Sequence, residues 1–136
     1  MPVTVRVRDG IEKDVFFLDV EKNVSDAIET MVEKGVWSFV ITRGDLPVGV
    51  VTERDIIRRC FAKGLNPNGV KLESVMSSPI ITIGPDAPLA EAMTLMADKD
   101  VRRIYVVEKG KIIGRLTQTG VFSQMLNIMM ALSAVA

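Results

Sequence analysis

"VGVVTERDI", residues 48–56, is the stretch on which the fold turns. Val48, Val50 and Val51 favour an extended chain, and Thr52 with Asp55 three residues later is close to a capping box, in which a hydroxyl accepts from an early helix N–H and an acid reaches back. The stretch therefore reads as a strand that hands over to a helix at Thr52. A helix N-terminus beside a glycine can also hold a ribose and its phosphate, because its first N–H groups have no partner inside the helix. The two roles are compatible, and the rest of the chain has to weigh them.

Shifted by 65 residues, the chain aligns with itself without a gap: "NVSDAIETMVEKGVWSFVITRGDLPVGVVTERDI" falls on "PLAEAMTLMADKDVRRIYVVEKGKIIGRLTQTGV". Identities fall at Ala27 and Ala92, Met31 and Met96, Lys34 and Lys99, Val36 and Val101, Gly49 and Gly114, and Thr52 and Thr117. The apolar pattern carries more weight, since Val24 and Leu89, Ile28 and Met93, Phe39 and Ile104, Ile41 and Val106, and Val51 and Leu116 keep one in-or-out reading throughout. In the first copy Val24, Ala27, Ile28, Met31 and Val32 recur at helical steps, and Gly35 is suited to end that helix. Pro88 suits the first turn of its twin. "VWSFVI" and "VRRIYVV" are β-branched and aromatic, each followed by a turn signal and a second apolar strand. With "VFFLDV" and "PIITI" as opening strands, each copy reads strand, helix, strand, strand, helix. "AKGLNPNGVK" is the connecting loop, and "VTVRVRDGIEKDV" alternates and turns at Asp9 and Gly10, which suggests an added N-terminal hairpin.

Composition narrows the function classes. A chain of 136 residues with 48% hydrophobic content is long enough to bury a core, and 17 Lys and Arg balance 17 Asp and Glu, so no net field favours nucleic acid. There is no histidine, which removes the commonest general base and metal ligand, and the one cysteine, Cys60, cannot form an internal disulfide. Histidine-based triads are impossible, and no convergent pair of carboxylates is visible, so an enzyme is not expected. A cytoplasmic protein without a membrane span is the expectation.

These motifs together resemble a tandem pair of cystathionine β-synthase (CBS) domains, a Bateman module. The likeness runs from Val15 to about Leu126 and rests on "VSDAIETM", "VWSFVI" and "VGVVTERDI" in the first half, and on "VMSSPIITIGPDAPLAEAMTLM" and "VRRIYVVEKGKIIGRLTQ" in the second. The first half departs from the family pattern where it opens, reading "GIEKD" at 10–14 against "VMSSP" at 75–79. The fold expected is α/β, with two repeats, residues 1–70 including the hairpin and 71–136 including a C-terminal helix, packed about a pseudo-twofold axis.

The resemblance implies an adenine nucleotide held between repeats as a regulatory ligand, with no catalytic cofactor. AMP is favoured over ADP, ATP and S-adenosylmethionine. Carried over residue by residue, Asp55 accepts from the ribose hydroxyls and Thr52 with Arg54 lies toward the phosphate. Val50, Ile80 and Ile81 enclose the adenine beside Ser78 and Pro79, and Arg102 or Arg103 meets phosphate oxygens. Gly120 stands where the second copy should have its acid, which leads to the expectation of one dominant site, with the cleft near Thr117 weak or empty.

Plainer readings stand beside these. Thr52 and Asp55 can be a helix cap alone. Adjacent strand residues point to opposite faces, so only one of Arg102 and Arg103 can enter a given cleft. Trp37, Tyr105 and Cys60 read as packing residues, and Met93, Met96, Met125, Met129 and Met130 as core or subunit contacts. The apolar end "VFSQMLNIMMALSAVA" leaves Val121, Leu126, Met129, Met130 and Leu132 in need of cover, which points to a homodimer. The function class is then either a nucleotide sensor acting on another protein or a structural dimerisation module without a ligand.

Overall fold

The structure, a computed structural model, describes residues 5–135, the last by its backbone alone. They form two compact units, residues 16–80 and residues 81–135 together with 5–15. In the first unit β1 (Phe17–Asp19) leads to α1 (Val24–Lys34), β2 (Ser38–Arg43), β3 (Leu46–Thr52) and α2 (Glu53–Ile56), which continues as a wider π turn over Ile57–Phe61. β1 lies parallel to β2 with Phe17 opposite Val40, and β2 pairs antiparallel with β3. A parallel pair needs a crossover, which α1 supplies. Asn23 opens α1 by accepting from Asp26 N at 2.9 Å while the Asp26 carboxylate accepts from Asn23 N at 3.0 Å, and Gly35 closes it at φ 67°. Val24, Ala27 and Met31 are buried, but Val32, placed by its spacing on the same stripe, is 74% exposed. The core adds Phe39, Ile41, Val51, Ile56, Cys60, Leu72 and Val75.

The second unit repeats this order with β4 (Thr82–Ile83), α3 (Leu89–Lys99), β5 (Arg103–Glu108), β6 (Lys111–Thr117) and α4 (Gln118–Val135). β4 is parallel to β5, and β5 is antiparallel to β6. Even the irregularity in the antiparallel ladder recurs, at Ile41/Thr42 and at Val106/Val107. Two three-stranded sheets, each with its pair of helices, make the chain mixed α/β and give both copies the expected strand–helix–strand–strand–helix order.

Where the structure departs from the sequence reading is in the lead-in to each copy. Residues 5–15 fold with the unit that holds the second repeat's strands and helices, and the described part of the expected hairpin is a lead-in with a single 3₁₀ turn, Val7–Gly10, that packs on that unit; Val3 and Thr4 lie outside the described residues. Val7 N donates to Ala87 O and Leu89 N to Val5 O, each at 2.8–2.9 Å. At the same offset in the first unit Leu72 N donates to Lys22 O and Val24 N to Val70 O. Val7 and Leu72 are both fully buried, each in its own unit's core. The alternation of residues 5–8 thus serves to bury Val7 and expose Arg6 and Arg8; alternation specifies which side chains go in, not which element covers them. Arg8 fastens the outer side by donating to Glu108 at 3.0 Å and to Asp86 at 3.2 Å, and these bonds, Glu108 first, raise its pKa above the ordinary arginine value.

Four further expectations divide. Tyr105 and Cys60 are buried, whereas Trp37 is 50% exposed and is no core residue. Val121 needs no outside cover, being packed among Leu89, Leu116 and Ile104 in its own unit.

Candidate functional site

The Thr52 motif folds as the cap its spacing announces. Thr52 is the N-cap of α2 in extended backbone, its hydroxyl accepts from Asp55 N at 3.3 Å, and Asp55 Oδ2 accepts from Thr52 N at 2.9 Å and from the Thr52 hydroxyl at 3.1 Å. A third donor comes from far along the chain, since the Ser77 hydroxyl reaches Asp55 Oδ1 at 2.9 Å. An ionised carboxylate offers about four acceptor positions. Three are occupied by these donors, so the cap leaves Oδ1 with room for one more, on a side chain that is only half-buried.

Gly49 has a different task from the one a nucleotide motif suggests. A Cβ there would lie 2.6 Å from Met76 Sδ and 2.9 Å from Ser77 O; at Gly114 it would meet Ile11 Cγ1 at 2.5 Å and Glu12 O at 2.7 Å. The glycines let the lead-in segment cross β3 or β6 at backbone distance. Val50 and Ser77 exchange backbone bonds of 2.9 and 2.8 Å across that crossing. This crossing is also what delivers Ser77 to Asp55.

The other expected site residues divide between the units. Val50 is half-buried on β3, Arg54 is exposed on α2, and Ser78 and Pro79 are exposed and joined by a cis peptide, with Ile80 half-buried at the end of the unit. Ile81 packs against the second core, and its carbonyl accepts from Tyr105 N at 3.0 Å. Arg103 opens β5 opposite Thr117, while the exposed Arg102 gives its carbonyl to Gln118 N at 2.8 Å. Within their unit, therefore, Arg102 and Arg103 stand at the Thr117 end of the sheet, where α4 begins.

Sequence reasoning missed two residues at these helix starts. One is Ser77; the other is Glu12, whose Oε2 accepts from the Thr117 hydroxyl at 2.6 Å. Carrying the 65-residue offset back past residue 23 would have set "GIEKD" on "VMSSP" and paired Glu12 with Ser77. Among the described residues no group of three or more acidic or cysteine side chains is arranged to hold a metal ion, and no helix is long and apolar enough to cross a membrane.

Comparison with known proteins agrees with this architecture. An uncharacterised protein of Methanopyrus kandleri is 35% identical over 116 residues, which cover 84% of this chain and 59% of that protein. Inosine-5'-monophosphate dehydrogenase of Korarchaeum cryptofilum is 31% identical over 118 residues, 86% of this chain but 24% of the enzyme. The crystal structure of an uncharacterised conserved protein from Pyrococcus horikoshii matches with a TM-score of 0.84 at 28% identity, over 92% of this chain and 95% of that one. The chain spans about three-fifths of the length of the first archaeal relatives it matches. The family model for the CBS domain matches twice, at residues 7–62 and 72–127, and the chain belongs to the CBS domain family as a tandem pair of repeats.

Proposed function

We propose that the chain is a regulatory module that binds an adenine nucleotide, AMP before ADP, ATP or S-adenosylmethionine, and passes the binding on to another protein. The observation that carries this is the Asp55 carboxylate. It is held in place through Oδ2 by Thr52, is half-buried, and has acceptor capacity left over at Oδ1 after the cap is complete. A cap alone asks nothing of Oδ1. A ribose hydroxyl donates to the remaining position, and a second hydroxyl is accommodated when Ser77 turns away. Arg54, Arg102 and Arg103 are the cations assigned to the phosphate, and Val50, Ile80 and Ile81 with Ser78 and Pro79 the surroundings of the base. That a two-repeat stretch of this kind matches a quarter of a much longer enzyme supports a regulatory rather than a catalytic role.

The chain is further proposed to work as a homodimer through α4. Phe122, Met129, Met130 and Leu132 are 59–69% exposed there, and residues 118–135 carry no charged side chain. An uncharged apolar face selects a like face, and a second copy supplies one. The competing reading, a dimerisation module with no ligand, shares this interface and differs only at Asp55.

A thermal-shift titration against AMP, ADP, ATP, NAD and S-adenosylmethionine separates the two, because a ligand that binds only the folded state stabilises it by RT ln(1 + [L]/Kd). AMP is expected to raise the midpoint most and adenosine less, with added salt eroding the AMP effect selectively. No shift with any of the five favours the ligand-free module. Equal shifts with AMP and adenosine remove the arginines from the site.

A further inference from the structure

The acid that the sequence lacks in the second repeat is present in space. Gly120 stands at the Asp55 position, and a Cβ there would lie 2.7 Å from Glu12 Oε2 and 2.9 Å from Thr117 Oγ1. Glu12 therefore fills the volume that a side chain at 120 would need. Its Oε2 accepts from the Thr117 hydroxyl at 2.6 Å, as Asp55 Oδ2 accepts from Thr52 at 3.1 Å. The hydroxyl accepts in turn from the third helical N–H in both copies, Gly120 N at 3.0 Å and Asp55 N at 3.3 Å. The backbone frame also matches: Glu12 and Arg115 exchange bonds of 2.9 and 2.7 Å where Ser77 and Val50 exchange 2.8 and 2.9 Å.

The two copies thus hold one carboxylate each at the same threonine, carried by different elements. In the first, the acid is on the helix and a serine is on the lead-in; in the second, the helix has glycine and the lead-in has the acid. We propose that Glu12 is the second repeat's acceptor for ligand hydroxyls, so that the chain has two nucleoside-recognising acids rather than the single one expected from Gly120. This rests on the reading of Asp55 given under Proposed function. Gly120 leaves that volume to Glu12, and a side chain there would have to push the Glu12 carboxylate, the movable end of its side chain, off the Thr117 hydroxyl. The copies still differ in one respect. Arg115 takes the place of Val50, with its guanidinium 3.9 Å from Glu12 Oε1 and 3.6 Å from Asp14 Oδ2, and this gives the second site a cationic wall and a different affinity.

Calorimetric titration with AMP reads the number of sites. The parent is expected to bind two AMP per chain with unequal affinities, and Glu12→Gln, which can still accept from Thr117, to weaken one of them about tenfold or more while sparing the other. Asp55→Asn is expected to weaken the other one. The double variant Glu12→Ser/Gly120→Asp rebuilds the first repeat's arrangement in the second and should restore the second site that Glu12→Ser alone loses. A parent that binds one AMP, lost in Asp55→Asn and untouched by Glu12→Gln, overturns the second acid and leaves the first standing. A parent that binds no AMP overturns the nucleotide reading and the second acid with it.

Discussion

On the proposed function the Asp55 carboxylate is shared between a cap and a ligand, and the division runs atom by atom. Oδ2 belongs to Thr52, whereas Oδ1 accepts from the Ser77 hydroxyl at 2.9 Å, which would compete with an incoming hydroxyl for the same oxygen. Ser77→Ala removes that competitor and leaves the backbone bonds of Ser77 to Val50 in place. The variant is expected to bind AMP more tightly, by about 1 kcal/mol or roughly fivefold, and fluorescence or calorimetric titration would read it. Unchanged or weaker binding would mean that Ser77 helps the site rather than closing it. Thr52 and Asp55 were legible in the sequence because the bond between them is local, three residues apart. Ser77 and Glu12 were not, because their partners lie 22 and 105 residues away and only the crossing at Gly49 and Gly114 brings them in.

The repeated elements compare one sequence solution with another at fixed geometry. Gly35 closes α1 in the left-handed region at φ 67°, and Asp100 closes α3 in that region at φ 52°; the hairpin turn has Gly44 at φ 63° in one copy and Lys109 at φ 53° in the other. Left-handed backbone costs a residue with a Cβ on the order of 1–2 kcal/mol, and glycine gives back part of the difference through its unfolded-state freedom. Lys109→Gly should therefore stabilise the protein by roughly 0.5–1 kcal/mol, seen as a higher denaturation midpoint at unchanged m-value. A lower midpoint would show that the lysine side chain contributes something the backbone comparison omits. The helices α1 and α3, the Gly35 stop and the strand order were readable from period and turn chemistry, whereas the Asn23 and Asp26 cap of α1 and the Asp100 end of α3 were not. The π turn over Ile57–Phe61 was not, since five-residue hydrogen bonding leaves no distinct mark on apolar spacing. The lead-in segments were misread for a related reason: residues 5–8 alternate correctly, yet their partner is a different unit from the one that follows them in sequence.

At the scale of the molecule, near-zero net charge and an uncharged C-terminal helix favour association through apolar surface. Met130 is 69% exposed and outside either core, so Met130→Glu should leave unfolding nearly unchanged while converting the proposed dimer to a monomer in light scattering. A variant that stays dimeric would move the interface off α4. The proposed function nonetheless stands or falls on Asp55, because the sensor and the ligand-free module share the fold and the proposed dimer and part first at what that carboxylate is for. Titrating AMP calorimetrically into the parent and into Asp55→Asn tests it most directly. Asparagine keeps an oxygen for Thr52 N and an amide that can donate to Ser77, so the cap should survive, with the melting midpoint of the unliganded variant close to the parent's. The account predicts that the binding step belonging to Asp55 weakens about tenfold to hundredfold, the cost of taking a charged acceptor from a ribose. An isotherm superimposable on the parent's, from a variant that melts like the parent, would contradict it and leave Thr52 and Asp55 as a helix cap.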